Sequence, residues 1–149
     1  MTTTDPVRMT TDPVAAAQRA ADAAEPAFGR YFLIHFLGLS IDYDDDAQTC
    51  SVTLPFAPHL CNAAGVVHGG VLSTALDISM GHTCQRYLSA GSTIEMQMRF
   101  LRPIRTDAVC TGRIAHAGRR VIQLESRLVD GQGRLAAIAY GSWFRHDAT

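Results

Sequence analysis

The stretch Asn62-Ala63-Ala64-Gly65-Val66-Val67-His68-Gly69-Gly70-Val71-Leu72-Ser73-Thr74-Ala75-Leu76-Asp77 decides how this chain is read. From Gly69 the sequence predicts a helix of about five turns, running to about Leu88 and closed off by Gly91. Val71, Leu72, Ala75, Leu76, Ile78 and Met80 make it apolar almost all round, the pattern of a helix enclosed by protein. Its first turn carries backbone N–H groups without intrahelical partners, made partly positive by the helix dipole. Gly69 and Gly70 remove the side chains that would keep a ligand away from them. Such a site suits an oxygen that gains negative charge, although the same two glycines would also serve close packing against a strand.

Asp77 is an acid inside this apolar helix, where an unpaired carboxylate would be costly, so it needs a partner or a shifted pKa. Its neighbours four residues either way, Ser73 and Gly81, are small and leave room beside it. A wet stripe shared with Ser73 and Thr74 is the plainer alternative. His68 and Asp77 lie two and a half turns apart, on nearly opposite faces of the helix. One chain can hardly aim both at one atom. A two-fold dimer with antiparallel helices would complete each site from two chains.

Outward from this helix, residues 14–24 are alanine-rich and predict a helix ending before Pro26. Residues 27–37 are strongly apolar and read as a short buried helix stopped by Gly38. Strands follow near 39–43 and 48–54, joined by an acidic turn at Asp44-Asp45-Asp46, and then a loop over 55–68. In 93–100, Ile94, Met96, Met98 and Phe100 alternate with polar residues, as in a strand with one buried face. Pro103 ends it. Strands near 108–117 and 120–130 are split by Gly118, and the turn Asp130-Gly131-Gln132-Gly133 leads to a last strand over 134–144. An α+β meander wrapped over one central helix is the simplest packing of these parts. Residues 1–26 read as a leader, partly disordered and partly helical, in which Thr-Thr-Asp-Pro-Val occurs twice, and 27–146 as one domain.

Composition narrows the function. The 149 residues are 47% hydrophobic with a net charge of −1, which lacks the basic excess of a nucleic-acid-binding domain. No apolar run reaches the roughly 18–20 residues of a membrane helix. Asp5, Asp12, Asp22 and Glu25 weigh against a secretory or transit signal, so the expected location is the cytoplasm. Cys50, Cys61, Cys84 and Cys110 are scattered and read as reduced thiols. No His pair at metal spacing, no serine-hydrolase elbow and no phosphate-binding glycine loop occurs, so neither metal nor cofactor is expected. His82, five residues beyond Asp77, does not share its helix face.

Asn62, Gly65, His68-Gly69-Gly70 and Asp77 resemble the signature of hotdog-fold acyl-CoA thioesterases of the phenylacetate-degradation type, relatives of the 4-hydroxybenzoyl-CoA thioesterases. The resemblance runs from about Phe32 to Phe144, and Phe100-Leu101-Arg102-Pro103 and Gly118-Arg119 also fit. It implies an antiparallel six-stranded sheet around the long helix, and homodimers with shared sites, often paired into homotetramers. It implies that the Gly69 N–H polarises the thioester carbonyl and that Asn62 and His68 position thioester or water. Asp77 of the partner chain would be general base or nucleophile, and Thr93 stands where some members hold the water with a hydroxyl. Another branch of the family uses Glu at an offset helix position, where this chain has no acid.

Gly70, Ser73, Gly118 and the arginines Arg99, Arg102, Arg119 and Arg120 are candidates for holding substrate, the arginines through the CoA phosphates. The 27–37 segment with Met80, Tyr87 and Met96 is the candidate acyl-pocket wall. A non-catalytic acyl-CoA-binding protein and a thioesterase for carrier-protein substrates are the alternatives; the presence of Asp77 favours an enzyme.

Overall fold

A computed structural model describes residues 12–146. The first eleven residues, including most of the expected disordered leader, lie outside the described residues. Helix α1 spans Pro13–Ala23, with Asp12 accepting a hydrogen bond from the Val14 N–H at 2.9 Å as its N-cap and Pro13 in the first turn. Helix α2 spans only Phe32–Phe36. Strands β1 (Ser40–Asp44) and β2 (Thr49–Leu54) precede a 3-10 turn at Pro58–Leu60. Helix α3 then runs Gly69–Tyr87. Strands β3 (Gly91–Phe100), β4 (Ala108–Ala117), β5 (Val121–Asp130) and β6 (Leu135–Arg145) complete the chain.

All six strands form one antiparallel sheet in the order β1-β2-β4-β5-β6-β3. Helix α3 lies along the inner face of this sheet, touching β2, β3, β4 and β5. This is the α+β hotdog arrangement expected above. The core between them is built by Leu72, Ala75, Leu76 and Met80 of α3 against Val52, Leu54, Cys110, Ile122, Leu124, Leu128 and Trp143. At Gly112 of β4 the sheet and the helix approach closely. A Cβ there would stand 2.7 Å from the Ser79 carbonyl carbon and from Thr83 Oγ1.

Two expectations need correcting. The 27–37 segment is not one buried helix. Gly29 takes φ +76°, which breaks any helix before Tyr31, and Phe28 and Phe32 are 54% and 42% exposed. The segment is anchored by its other face, with Ile34 and Leu37 in the core and the Phe28 ring 4.3 Å from the ring of His82. His82 itself is buried in α3, its Nδ1 2.7 Å from the Tyr43 hydroxyl. Strand β3, for its part, lacks a continuous buried face. Ile94 and Phe100 are 55% and 50% exposed, and only Met96 and Met98 pack partly on the core. The pairing with β6 slips between Thr93 and Glu95, a bulge that breaks the alternation. Along its other side β3 has no neighbouring strand among the described residues, so half its backbone edge is open.

Among the described residues no helix is long and apolar enough to cross a membrane. All four cysteines are free. Burial pushes the Cys50 and Cys110 thiols up to about 12.

Candidate active site

The loop before α3 is shaped by Asn62. Its Oδ1 accepts from the Ala64 N–H at 2.9 Å, its own N–H donates to Val66 O at 2.8 Å, and its carbonyl accepts from Gly65 N–H. Gly65 takes φ +68° to close this turn. The Asn62 side-chain carbonyl is therefore occupied locally, which leaves its exposed NH₂ as the donating end.

His68 is the N-cap of α3. Its Nδ1 accepts the Gly70 N–H at 2.9 Å, and its carbonyl accepts from Val71 and Leu72 N–H. In its neutral form the ring therefore carries its proton on Nε2, leaving that N–H as a donor. The Gly70 N–H is committed to His68. The Gly69 N–H makes no hydrogen bond among the described residues. Gly69 lines a groove of about 300 Å³ together with Asn62, Leu72, Phe100 and Arg102. A Cβ on Gly69 would stand 3.6 Å from the Phe100 ring, so a side chain at this position would narrow the groove. Ser73 and Thr74 turn their hydroxyls back onto the Gly69 and Gly70 carbonyls, at 2.8 and 3.0 Å.

Asp77 lies eight residues further on, about 12 Å along the axis at 1.5 Å per residue. Its Oδ1 accepts the Thr93 hydroxyl at 3.0 Å. Burial pushes its carboxyl above the ordinary range, and the Thr93 hydrogen bond pulls in the other direction. The Asp77 charge in turn adds to the burial that raises the nearby Tyr31 phenol. The structure thus brings Asp77 and Thr93 together at one end of β3. Asn62 and Gly69 gather at the other, beside Phe100, while the His68 side chain lines a different cavity, described below.

The arginines divide in the same way. Arg102 lines the Gly69 groove, while Arg119 and Arg120 follow Gly118 in the β4–β5 turn, where Arg120 O accepts from Arg145 N–H at the Asp77 end of the sheet. Arg99 is exposed on β3, paired across from Ile138. Of the expected acyl-pocket wall, Met80 is wholly buried in the core, and the Tyr87 hydroxyl donates to the β1–β2 turn, 3.0 Å from Asp44 O. Leu33, Phe36 and Leu37 do line a cavity of about 460 Å³, shared with His59, His68 and Val71. His59 was not foreseen. Both its ring nitrogens are buried without hydrogen-bond partners among the described residues, and its ring lies 5.7 Å from that of Phe36. Its only sequence signal is a position after Pro58 in a loop.

Residues 64–137 match the family model described as "Thioesterase superfamily". A relative named "Putative esterase SSO2140", from Saccharolobus solfataricus, is 30% identical over 96 residues, spanning 62% of this chain and 69% of that one. The solved BH2602 protein of Bacillus halodurans with CoA is 24% identical, with a TM-score of 0.80 over 92% of this chain and 93% of that one. The E. coli PaaI protein from the phenylacetic acid degradation operon is 21% identical, with a TM-score of 0.76 over 90% of this chain and 98% of that one. The two solved neighbours have the fold described above, a helix cradled by one antiparallel sheet. By its family-model match and its kinship with the Saccharolobus protein, this chain belongs to the thioesterase superfamily.

Proposed function

We propose that this protein hydrolyses an acyl-CoA thioester to the free acid and CoA, in sites that two copies of the chain build together. The observation that carries this reading is the free Gly69 N–H in the first turn of α3, opening into a groove that Asn62 shares. A thioester carbonyl placed there gains a donor that strengthens as its oxygen becomes negative. Asn62 NH₂ and His68 Nε2–H orient the thioester. Water adds to the carbonyl carbon while Asp77 takes its proton, and the Thr93 hydroxyl holds the carboxylate for that task. The tetrahedral intermediate then collapses, the C–S bond breaks, and CoA leaves as thiolate to be protonated. Direct attack by Asp77 on the carbonyl is the other route to the same products.

Asp77 cannot serve Gly69 of its own chain across about 12 Å. The open edge of β3 supplies the remedy. Its Thr93 end lies beside Asp77 and its Phe100 end beside Gly69. Antiparallel pairing of two β3 edges sets the Asp77 of one copy against the Gly69 of the other, and gives exposed Ile94 and Phe100 a surface to cover. The CoA in the Bacillus halodurans neighbour supports a CoA ester as substrate. The reading places the protein in the cytoplasm as a homodimer, or as a homotetramer of two such pairs.

The test follows free thiol on a panel of acyl-CoA esters with wild type and Asp77→Ala side by side. Loss of about a hundredfold in a folded variant is expected for a missing base. If neither protein turns over any ester while both bind acyl-CoA equally, a binding role replaces the enzyme. Single-turnover hydrolysis in labelled water separates the two routes, because label appears first in the Asp77 carboxylate only if it attacks directly.

A further inference from the structure

His82 of α3 takes no part in the chemistry above, and it is only 3% exposed. Its Nδ1 meets the Tyr43 hydroxyl at 2.7 Å, while its Nε2 is buried without a hydrogen-bond partner among the described residues. A half-satisfied imidazole costs stability, so its ring must contribute in another way. It serves as a platform. The Phe28 ring lies against it, 4.3 Å between centroids and tilted by 32°. Gly29 approaches so closely that a Cβ there would stand 3.2 Å from His82 Cε1. The turn that presents both residues is closed on itself. Arg30 N–H donates to Ala27 O at 3.1 Å, and Arg30 O accepts from Glu25 N–H at 2.8 Å.

From this anchor the chain runs back along α3. Tyr31, three residues after Phe28, stands close enough to Asp77 for that charge to act on its phenol. Asp77 lies five residues before His82, about 7.5 Å along the helix axis. Three residues of chain span up to about 10 Å, so the cap reaches from one to the other. Leu33, Phe36 and Leu37 then wall the cavity that Val71 and Thr74 line nearer the start of α3. Residues 28–37 thus form a cap that runs antiparallel to the helix, with Phe28 on His82 as its first fixed point.

The surroundings of both groups are simple. Asp77 meets Thr93 from β3 and Tyr31 from the cap, and no charged residue among those described shifts its carboxyl. Around His82, Tyr43 comes from β1. Arg86 of α3 lies 5.0 Å from the Tyr43 ring centroid and is paired with Asp45. Arg30 and Glu25 of the turn pair with each other at 3.0 Å. Burial, and after it the Asp77 charge, raise the Tyr31 phenol, so it remains a protonated donor at neutral pH.

We propose that His82 is a positioning residue for the hydrolysis: its ring pins the cap to α3, and the cap sets the Tyr31 hydroxyl beside Asp77 to hold the attacking water. The proposal rests on the thioesterase reading above, because Asp77 has a water to activate only there. It gives a task to a buried histidine that lies off the Asp77 face of the helix. It also accounts for Gly29, since any side chain at that position would press on the His82 ring.

The test combines acyl-CoA hydrolysis over a range of pH with hydrogen exchange of the 28–37 segment. His82→Ala should speed exchange in the cap, lower kcat about tenfold and move the acid limb of kcat/KM to lower pH, as water reaches Asp77. His82→Phe keeps a ring beneath Phe28 and leaves the Tyr43 hydroxyl to solvent, so it should recover most of that loss. Tyr31→Phe should lower kcat about tenfold with cap exchange as in wild type. Unchanged cap exchange in His82→Ala, an unmoved acid limb once the cap is released, a loss in His82→Phe as large as in His82→Ala, or full activity in Tyr31→Phe each overturns the proposal. Phe28 is 54% exposed, so Phe28→Ala removes the same ring contact without a core cavity and replaces His82→Ala if that variant does not fold. Should wild type hydrolyse no ester, the thioesterase reading fails separately. NMR titration of the Asp77 carboxyl then decides the pinning, with a lower pKa in Phe28→Ala supporting it and an unmoved one refuting it.

Discussion

Substituting Gly112 by Ala tests whether the contact of α3 with the sheet positions the site. The new Cβ would lie 2.7 Å from the Ser79 carbonyl carbon and Thr83 Oγ1, and it also meets the Ser79 carbonyl oxygen. Ordinary contact begins at 3.4 Å, so helix and strand must separate by at least about 0.7 Å. Overpacking of this kind costs about 1–3 kcal/mol. The shift also strains the buried Ser79–Ser126 hydroxyl pair at 2.7 Å and the Thr83 hydroxyl bond to Ser79 O at 2.8 Å. Weakening one of them adds about 1 kcal/mol. The sum is about 2–4 kcal/mol, or roughly 4–16 °C in Tm for a domain of this size. Thermal and urea unfolding measure it. Because α3 carries both Gly69 and Asp77, kcat/KM should fall as well at temperatures where the variant is folded. Gly81→Ala is the contrast. A Cβ there meets nothing within 4 Å, and helix propensity should gain up to about 1 kcal/mol. A Gly112→Ala protein within about 0.5 kcal/mol of wild type would refute the claim that this contact is tight.

Asp77→Asn should raise Tm at neutral pH. Burial lifts the folded carboxyl above its ordinary 3.8, so ionising it costs the wild type stability at pH above the folded value. The gain should shrink as pH falls through that value and vanish below 3.8, where both proteins are uncharged at this position; a gain independent of pH would sink the explanation. Thr93→Val removes the hydrogen bond that favours the Asp77 carboxylate, so the acid limb of the kcat/KM profile should move to higher pH, with activity near neutrality down about tenfold. An unmoved limb would detach Thr93 from Asp77.

Helix α3 was legible because its signals agree: glycines at the start, apolar residues on every side, one acid at Asp77. The strand boundaries followed from Gly118 and the Asp130–Gly133 turn, which only hairpins accommodate well. Strand β3 misled because alternation reports a period and says nothing of what covers each face. Ile94 and Phe100 alternate as buried residues do, yet stand at an open edge. In 27–37 apolar content outweighed Gly29, whose positive φ stops the helix from starting earlier. The candidates Asn62, His68, Gly69 and Asp77 could be grouped from the sequence because they lie near one another along the chain. That Arg105 and Arg134 line one cavity could not be read, since only the fold carries the β3–β4 connection and the β5–β6 turn together. The His68 bond to Gly70 was not legible either, because a histidine before two glycines reads equally well as a ligand contact.

The unpaired edge of β3 carries a consequence for handling and expression. An exposed strand flanked by Ile94 and Phe100 is a template for any other extended chain. Self-pairing, as proposed, is the benign way to satisfy it, and mass action then ties that protection to protein level. Dilute chains, newly made chains and chains from a weakly expressed copy would spend longest with the edge bare. The fraction of chains with a bare edge is therefore largest at low protein level, where the hazard is pairing with other extended chains and not with further copies of this one.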